Sequence, residues 1–224
     1  MDFAKYVSLI SSGSLFFSRS DRFADPFEGS FSQANLELRP TVYSAIPADQ
    51  QECLFSQMST FSRWARQWTY VNCWHLNEHE SAAMWDLYAK TNEAVAVETT
   101  YDRLLQILPQ EVFLGCVNYI DYSKDWLPEG NSLYPFVHKR KSFEHEREIR
   151  AIIHDLPSGD LFDYNMINES QGQYVPIALN DMVVAVHVSP TAPEWFADLV
   201  GQVTEKYDLN VRVARSDLYS SPVF

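Results

Sequence analysis

The chain has little cysteine, little positive charge and no long apolar run. Its three cysteines, Cys53, Cys73 and Cys116, show no paired spacing, which argues against a disulfide framework and suits a reducing cytoplasm. Lys and Arg number 17 against 30 Asp and Glu, a formal net charge of −13. Such a field repels a phosphate backbone, so broad nucleic-acid binding is not expected. A small anionic ligand stays open, because local arginines override the global field at contact distance. No stretch of about 18 apolar residues occurs, so no membrane span is expected. Met1-Asp2-Phe3-Ala4-Lys5 lacks the pattern of a signal peptide. There is no Gly-rich phosphate loop, no Gly-x-Ser-x-Gly elbow and no dinucleotide fingerprint.

Apolar material is ample. At 46% hydrophobic and 14% aromatic, the 224 residues can bury a substantial core. Asp2 is a cap for a helix over Phe3–Ser12, with Gly13 as its stop, and Ser14–Ser18 reads as a strand. Residues 30–49, with Pro40 and Pro47, read as an irregular insert. Leu54, Met58, Phe61, Trp64, Ala65 and, just beyond, Trp68 form a helical stripe along 50–67. Strands are expected over 69–74, 93–99, 112–122 with a bulge at Gly115, 146–154, 174–178, 182–188 and 211–214. Helices are expected over 82–90, 101–108, 193–207 and, despite Pro135, 132–141. Mixed strands and helices without a βαβ rhythm imply a single α+β domain over 1–224, its sheet mixed and largely antiparallel.

Two charged segments stand out. Ser18-Arg19-Ser20-Asp21-Arg22-Phe23-Ala24-Asp25-Pro26-Phe27-Glu28-Gly29 is a strand emptying into a charged loop, a common way to build a site on a fixed scaffold. A surface turn with ion pairs is the plainer alternative. The second segment is Lys139 to Arg150. On a strand, Arg147, Ile149, Ala151 and Ile153 share one face and Glu146, Glu148 and Arg150 the other. That polar face either lines a cleft or is a solvated edge; a helix end over Phe143–Arg147 is also open. Acid and base in both segments lead to the expectation that they converge. His75, Glu78, His79 and Glu80 look like a turn before a Ser81 cap more than a metal pair, and no metal is expected. Cys116 reads as a core residue. Trp85 and Tyr88 share a helix face, which suits core packing or the wall of a pocket for a flat ring.

Tyr6, the strand Leu15–Ser18, Asp25-Pro26-Phe27-Glu28, Met84-Trp85 with Tyr88, Lys139, and Glu146 with Glu148 and Arg150 together resemble a mainly bacterial family catalogued as domain of unknown function 2971. The resemblance covers most of residues 5–153 and leaves 174–224 as a strand-helix-strand extension. The family has Asn before the Asp-Pro-Phe-Glu motif where this chain has Ala24. A more distant similarity is to ADP-ribosyltransferases, carried by the order Tyr6 or Arg19, Tyr88, Glu148 and by the pair Glu146-x-Glu148, without a His-Gly-Thr or Ser-Thr-Ser signature.

That second resemblance implies NAD as substrate. Glu148 would stabilise positive charge on the ribose, and Glu146 would orient or deprotonate the acceptor. Arg19 or Arg22 would neutralise the pyrophosphate, and Trp85 and Tyr88 would stack nicotinamide. Tyr6, Asp25, Glu28, Lys139 and Arg150 complete the implied nucleotide-binding set. Two alternatives remain. One is a non-catalytic interaction module with a protein partner in phage–host conflict, its charges paired as Arg19 with Glu148 or Arg150 with Asp25. The other is a metal nuclease using Asp21, Asp25, Glu146 and Glu148, which the missing basic patch argues against.

Overall fold

The computed structural model describes residues 1–158 and 162–223. In chain order the elements are α1 (Phe3–Ser12), β1 (Ser14–Arg19), α2 (Gln33–Val42), α3 (Ala48–Ala65), β2 (Thr69–His75), α4 (Ala82–Tyr88), β3 (Val95–Glu98), α5 (Tyr101–Ile107), β4 (Phe113–Cys116) and β5 (Asn118–Ile120). They continue with β6 (His138–Arg140), β7 (Glu148–His154), β8 (Gly172–Pro176), α6 (Leu179–Met182), β9 (Ala185–Val188), α7 (Glu194–Lys206) and β10 (Arg212–Arg215). The fold is α+β: helices flank a main sheet of order β4-β7-β2-β1-β8, whose pairs β4/β7, β7/β2 and β2/β1 are antiparallel. Among the described residues no helix is long and apolar enough to cross a membrane.

The chain groups into two compact units. The first contains residues 1–16, 77–109 and 174–224. Asp2 caps its α1 by accepting a hydrogen bond from the Lys5 amide at 2.8 Å, and Gly13, at φ 60°, closes that helix in the left-handed conformation that glycine adopts without strain. Its core holds Leu9, Ile10, Val95, Val186, Val188, Phe196 and Val200 around the sheet β10-β9-β3.

The second unit contains residues 17–76 and 110–173. Strand β7 is its spine, paired along its length with β2 and over Ile149–Ile152 with β4. Val71, Phe136 and Ile152 form one apolar cluster, and Ile120, Tyr122 and Leu127 another.

Three expectations are corrected in this unit. Residues 30–49 are not an irregular insert, for α2 occupies 33–42 and α3 starts at Ala48. Its buried stripe is polar, so hydrophobic periodicity does not reveal it. Ser32 caps α2 and donates to the Asp125 carbonyl at 2.7 Å, and Asn35 donates to the Leu127 carbonyl at 2.7 Å. Arg39 and Tyr43 both donate to Glu129, at 2.8 and 2.9 Å. The expected strand over 112–122 is two, because the Val117 amide donates to Glu148 and the next amide, Asn118, to Val137, so the chain leaves β7 for β6. The expected helix over 132–141 is a single 3-10 turn, Tyr134–Phe136, followed by β6, which gains backbone partners in β5 that a helix would forgo.

Gly29 ends the charged loop at φ 71°, and a Cβ there would lie 2.5 Å from Phe136 Cε1 and 3.1 Å from Arg66 Cγ. The left-handed backbone costs a non-glycine residue about 1–2 kcal/mol, and forcing the Phe136 ring aside about 1–3 more. Gly29→Ala is therefore expected to destabilise the protein by roughly 2–5 kcal/mol. Urea unfolding checks this, and a variant within 1 kcal/mol of the parent would show that Phe136 moves freely.

Candidate functional site

Positions 146–150 are not a uniform strand. Glu146 closes the 3-10 turn Lys141–Glu146, Arg147 takes φ 43°, and only from Glu148 is the backbone a strand. Because β7 lies between β4 and β2, its polar side chains are covered; the solvated-edge reading is thereby excluded. Arg147 stands outside the expected alternation, since its left-handed backbone breaks the strand before Glu148.

On the polar face of β7 five charges meet. Lys139, from β6, contacts Glu146, lies 2.6 Å from a Glu148 oxygen and 3.4 Å from a Glu28 oxygen. Arg150 donates through Nε to the other Glu148 oxygen at 2.7 Å and grips Glu28 with both terminal nitrogens at 2.7 and 2.9 Å. Its Nη1 also donates to the Phe136 carbonyl at 2.9 Å. All five side chains are buried, Arg150 at 1% exposure. Beside them Arg140 holds Asp25 through two hydrogen bonds, at 2.8 and 3.2 Å, and stacks over Phe27.

Three carboxylates thus face two cations. With every group ionised the cluster carries one net negative charge in a poorly solvated place, and one proton removes it. The proton goes to Glu146: burial and the hydrogen bond to Glu148 raise its pKa to about 7 against the pull of Lys139. For Glu148, burial alone would raise the pKa, but the hydrogen bond from Glu146 and the charge of Arg150 hold it well below the usual range. The two carboxyls titrate as a pair, with the proton on Glu146. Lys139 is likewise held charged, because its hydrogen bonds to both glutamates outweigh its burial.

A cavity of about 390 Å³ opens on this network, lined by Leu76, Cys116, Val117, Tyr119, Glu144, His145, Arg147 and Glu148. The Tyr119 hydroxyl accepts a hydrogen bond from the Glu148 amide at 2.9 Å, which leaves its own proton to donate. Burial raises its pKa, so it stays a phenol. Cys116 is exposed on this wall rather than buried in the core as expected, because β4 is an edge strand. Cys73, opposite Arg150 in the β2/β7 register, keeps exposed surface, yet burial pushes its thiol far up and Glu148 adds to the effect. The thiol therefore stays protonated and is a poor nucleophile. His75, opposite Glu148 in the same register, donates from Nδ1 to the Glu146 carbonyl at 2.6 Å and is not part of any metal cluster among the described residues.

The loop and the strand do meet, through Glu28 and not through Arg19. Of the residues singled out in the sequence, Asp25, Glu28, Lys139, Glu146, Glu148 and Arg150 come together. Arg19 does not pair with Glu148, nor Arg150 with Asp25. Arg19 is buried and holds Asp21 through two hydrogen bonds, at 2.6 and 2.9 Å, while its Nη1 donates to the Asn168 and Ser170 carbonyls. Its donors are used in fastening the loop, so it is not available to grip a pyrophosphate. Arg22 is exposed in the 3-10 turn Ser20–Arg22. Tyr6, Trp85 and Tyr88 belong to the first unit. There Tyr6 is buried with its hydroxyl on Thr204, Trp85 donates to Glu80 at 2.9 Å, and Tyr88 is exposed. Sequence reasoning missed Arg140 and Tyr119. An arginine beside Lys139 was visible; a tyrosine on a strand carries no comparable signal.

Comparison with protein-family models, with curated proteins and with solved structures yields no match. Both family resemblances therefore rest on the motifs quoted for them.

The split pair has a signed consequence for stability. An acid whose pKa is raised on folding contributes stability below its unfolded value of 4.5, and that contribution is lost as pH rises through about 7. Glu148, lowered on folding, contributes fully above 4.5 and loses its share as pH falls further. Glu146→Gln, which imitates the protonated acid, is expected to flatten the decline in melting temperature between pH 4.5 and 7 relative to the parent. Parallel melting curves for the two proteins across that window would count against a proton on Glu146.

Proposed function

We propose that this chain cleaves the N-glycosidic bond of NAD and passes ADP-ribose to an acceptor, which is water or a second molecule. The observation that carries the reading is the pair Glu146–Glu148: two carboxyls beside one lysine, their pKa values pushed apart, with Glu148 on the wall of a cavity. Pairs of acids separated by their surroundings are a recurrent basis for acid and base roles.

In this reading the bond between ribose C1′ and the nicotinamide nitrogen breaks. Its electron pair goes to the ring nitrogen, which neutralises the pyridinium. Positive charge develops on C1′ and the ring oxygen, and a fixed anion close by lowers that barrier. Glu148 is the anion. Lys139 and Arg150 offset it in part, yet once Glu146 is ionised the cluster as a whole retains one negative charge, the sign the transition state requires. Ionised Glu146 takes the proton of the attacking hydroxyl as the new bond forms. Tyr119 donates a hydrogen bond within the cavity to an oxygen of the sugar.

A second reading, a non-catalytic interaction module, is favoured by one observation: both Glu148 oxygens are already occupied, by Lys139 and Arg150. The network then serves to fasten the loop of Asp25 and Glu28 to β7. The nuclease reading has less support, because Asp21 and Asp25 are each taken by an arginine.

Nicotinamide release from NAD by the purified protein is the test. The expected rate rises with pH through about 7 as Glu146 ionises. Glu146→Gln is expected to stay folded and to lose roughly a hundredfold in rate or more, the usual worth of a positioned base. Glu148→Gln is expected to lose activity and also to melt lower, since an amide NH₂ would face Lys139 or Arg150. A parent protein that releases no nicotinamide would leave the module reading. An unchanged rate in folded Glu146→Gln would remove Glu146 from the chemistry.

A further inference from the structure

A cavity of about 350 Å³ lies in the first unit, between the C-terminal half of α7 and β10. Gly201 and Glu205 line its helix side; four apart on α7, they share one face. Arg212 and Val213, which open the edge strand β10, line the strand side. Gly201 sits in the body of a 13-residue helix. Glycine weakens a helix interior relative to alanine, because it loses the most backbone freedom on folding. The surrounding fold does not ask for it. Its backbone is helical, and a Cβ built there meets no packed neighbour within 4 Å. Alanine would fit and would serve the helix better. What glycine does here is keep the cavity wall open.

The polar groups of the lining are complementary. Glu205 and Arg212 are both exposed, carry opposite charge and face the cavity from its two sides. Neither makes an ion pair or a side-chain hydrogen bond among the described residues. Asn210 donates through Nδ2 to the Asp208 carbonyl at 3.4 Å, which leaves its side-chain oxygen as a further acceptor on the lining. The rest is apolar. Leu209 is buried, and Val211 and Val213 are half-buried. Thr204 donates its hydroxyl to the Val200 carbonyl at 2.6 Å and meets Tyr6 at 2.7 Å, so it offers the cavity a methyl group.

A ligand that satisfies this lining has a carboxylate for the Arg212 fork, a cation for Glu205 and an apolar body. It must also fit a volume at the small end of ligand pockets. We infer that this cavity binds a free amino acid with an apolar side chain. The carboxylate lies on Arg212, the ammonium on Glu205 and Asn210 Oδ1, and the side chain against Val211, Val213 and the open wall at Gly201. The site needs nothing from the Glu146–Glu148 pair, so it stands whether or not the chain cleaves NAD.

The probe is leucine, titrated calorimetrically into the whole protein. Saturable binding at millimolar concentration or below is expected. Leucinamide, which keeps the ammonium, and N-acetylleucine, which keeps the carboxylate, are each expected to bind at least tenfold more weakly. Arg212→Gln, at an exposed position, is expected to melt with the parent and to lose at least tenfold in leucine affinity. Gly201→Leu is expected to fold, since leucine is a good helix former, and to abolish binding by filling the cavity. Gly201→Ala without ligand is expected to melt about 1–4 °C above the parent. Absence of saturable leucine binding by the parent would overturn the assignment. So would equal affinity for either analogue, or undiminished binding in Arg212→Gln or Gly201→Leu. A lower melting temperature in Gly201→Ala would also count against it, because the fold itself would then require the glycine.

Discussion

Buried charge must be matched, and the second unit is arranged around that requirement. Arg150 sits on its most covered strand, and a guanidinium there has to find carboxylates or stay out of the fold. It finds one two residues away, Glu148, and one from a distant loop, Glu28. Glu148 in turn needs Lys139, which draws in β6, and Lys139 draws in Glu146. The position of the loop, the turn before β7 and the short β5/β6 pair all follow from these contacts. Removing Arg150 leaves Glu28 and Glu148 with Lys139 as their one remaining cation in the cluster, a loss of about 3–5 kcal/mol.

The acid excess inside the network links stability to chemistry. Three carboxylates on two cations cannot all ionise at little cost, so the cluster keeps a proton that leaves near neutrality. The same imbalance that makes Glu146 a misfit in the folded state gives it a titration in the range where enzymes work. Had a third cation been present, both glutamates would be permanently ionised and the site electrostatically inert. This is why the structural and catalytic readings share residues: they differ in whether the stored proton is used.

Much of the fold was legible because its signals are local. Asp2, Ser81 and Gly13 mark helix ends by their own chemistry, and β2 and β7 by apolar composition. The site was legible in part for a similar reason, since Asp25-Pro26-Phe27-Glu28 and Glu146-x-Glu148-x-Arg150 concentrate charge where solubility does not require it. What stayed hidden depended on partners far along the chain. Helix α2 buries Asn35 and Arg39 beside its buried cap Ser32, polar groups that read as surface until Glu129 is placed against them. The split of β4 from β5 depends on β6 arriving at Val117. Arg19 looked equivalent to Arg150 in sequence, but Asp21 lies two residues away and claims it first.

The Glu28–Arg150 contact spans 122 residues of sequence. During synthesis Glu28 leaves the ribosome well before its partner exists, by roughly 6–25 s at 5–20 residues per second. Over that interval β2 has no neighbour on the side that β7 will fill, and the loop acids remain hydrated. The nascent chain therefore holds an open sheet edge and an unclaimed cluster of charge until the last third of the protein emerges. The hydration of Asp25 and Glu28 helps keep that exposed intermediate soluble. The residues that lock the finished unit would thus act earlier as its gatekeepers against aggregation.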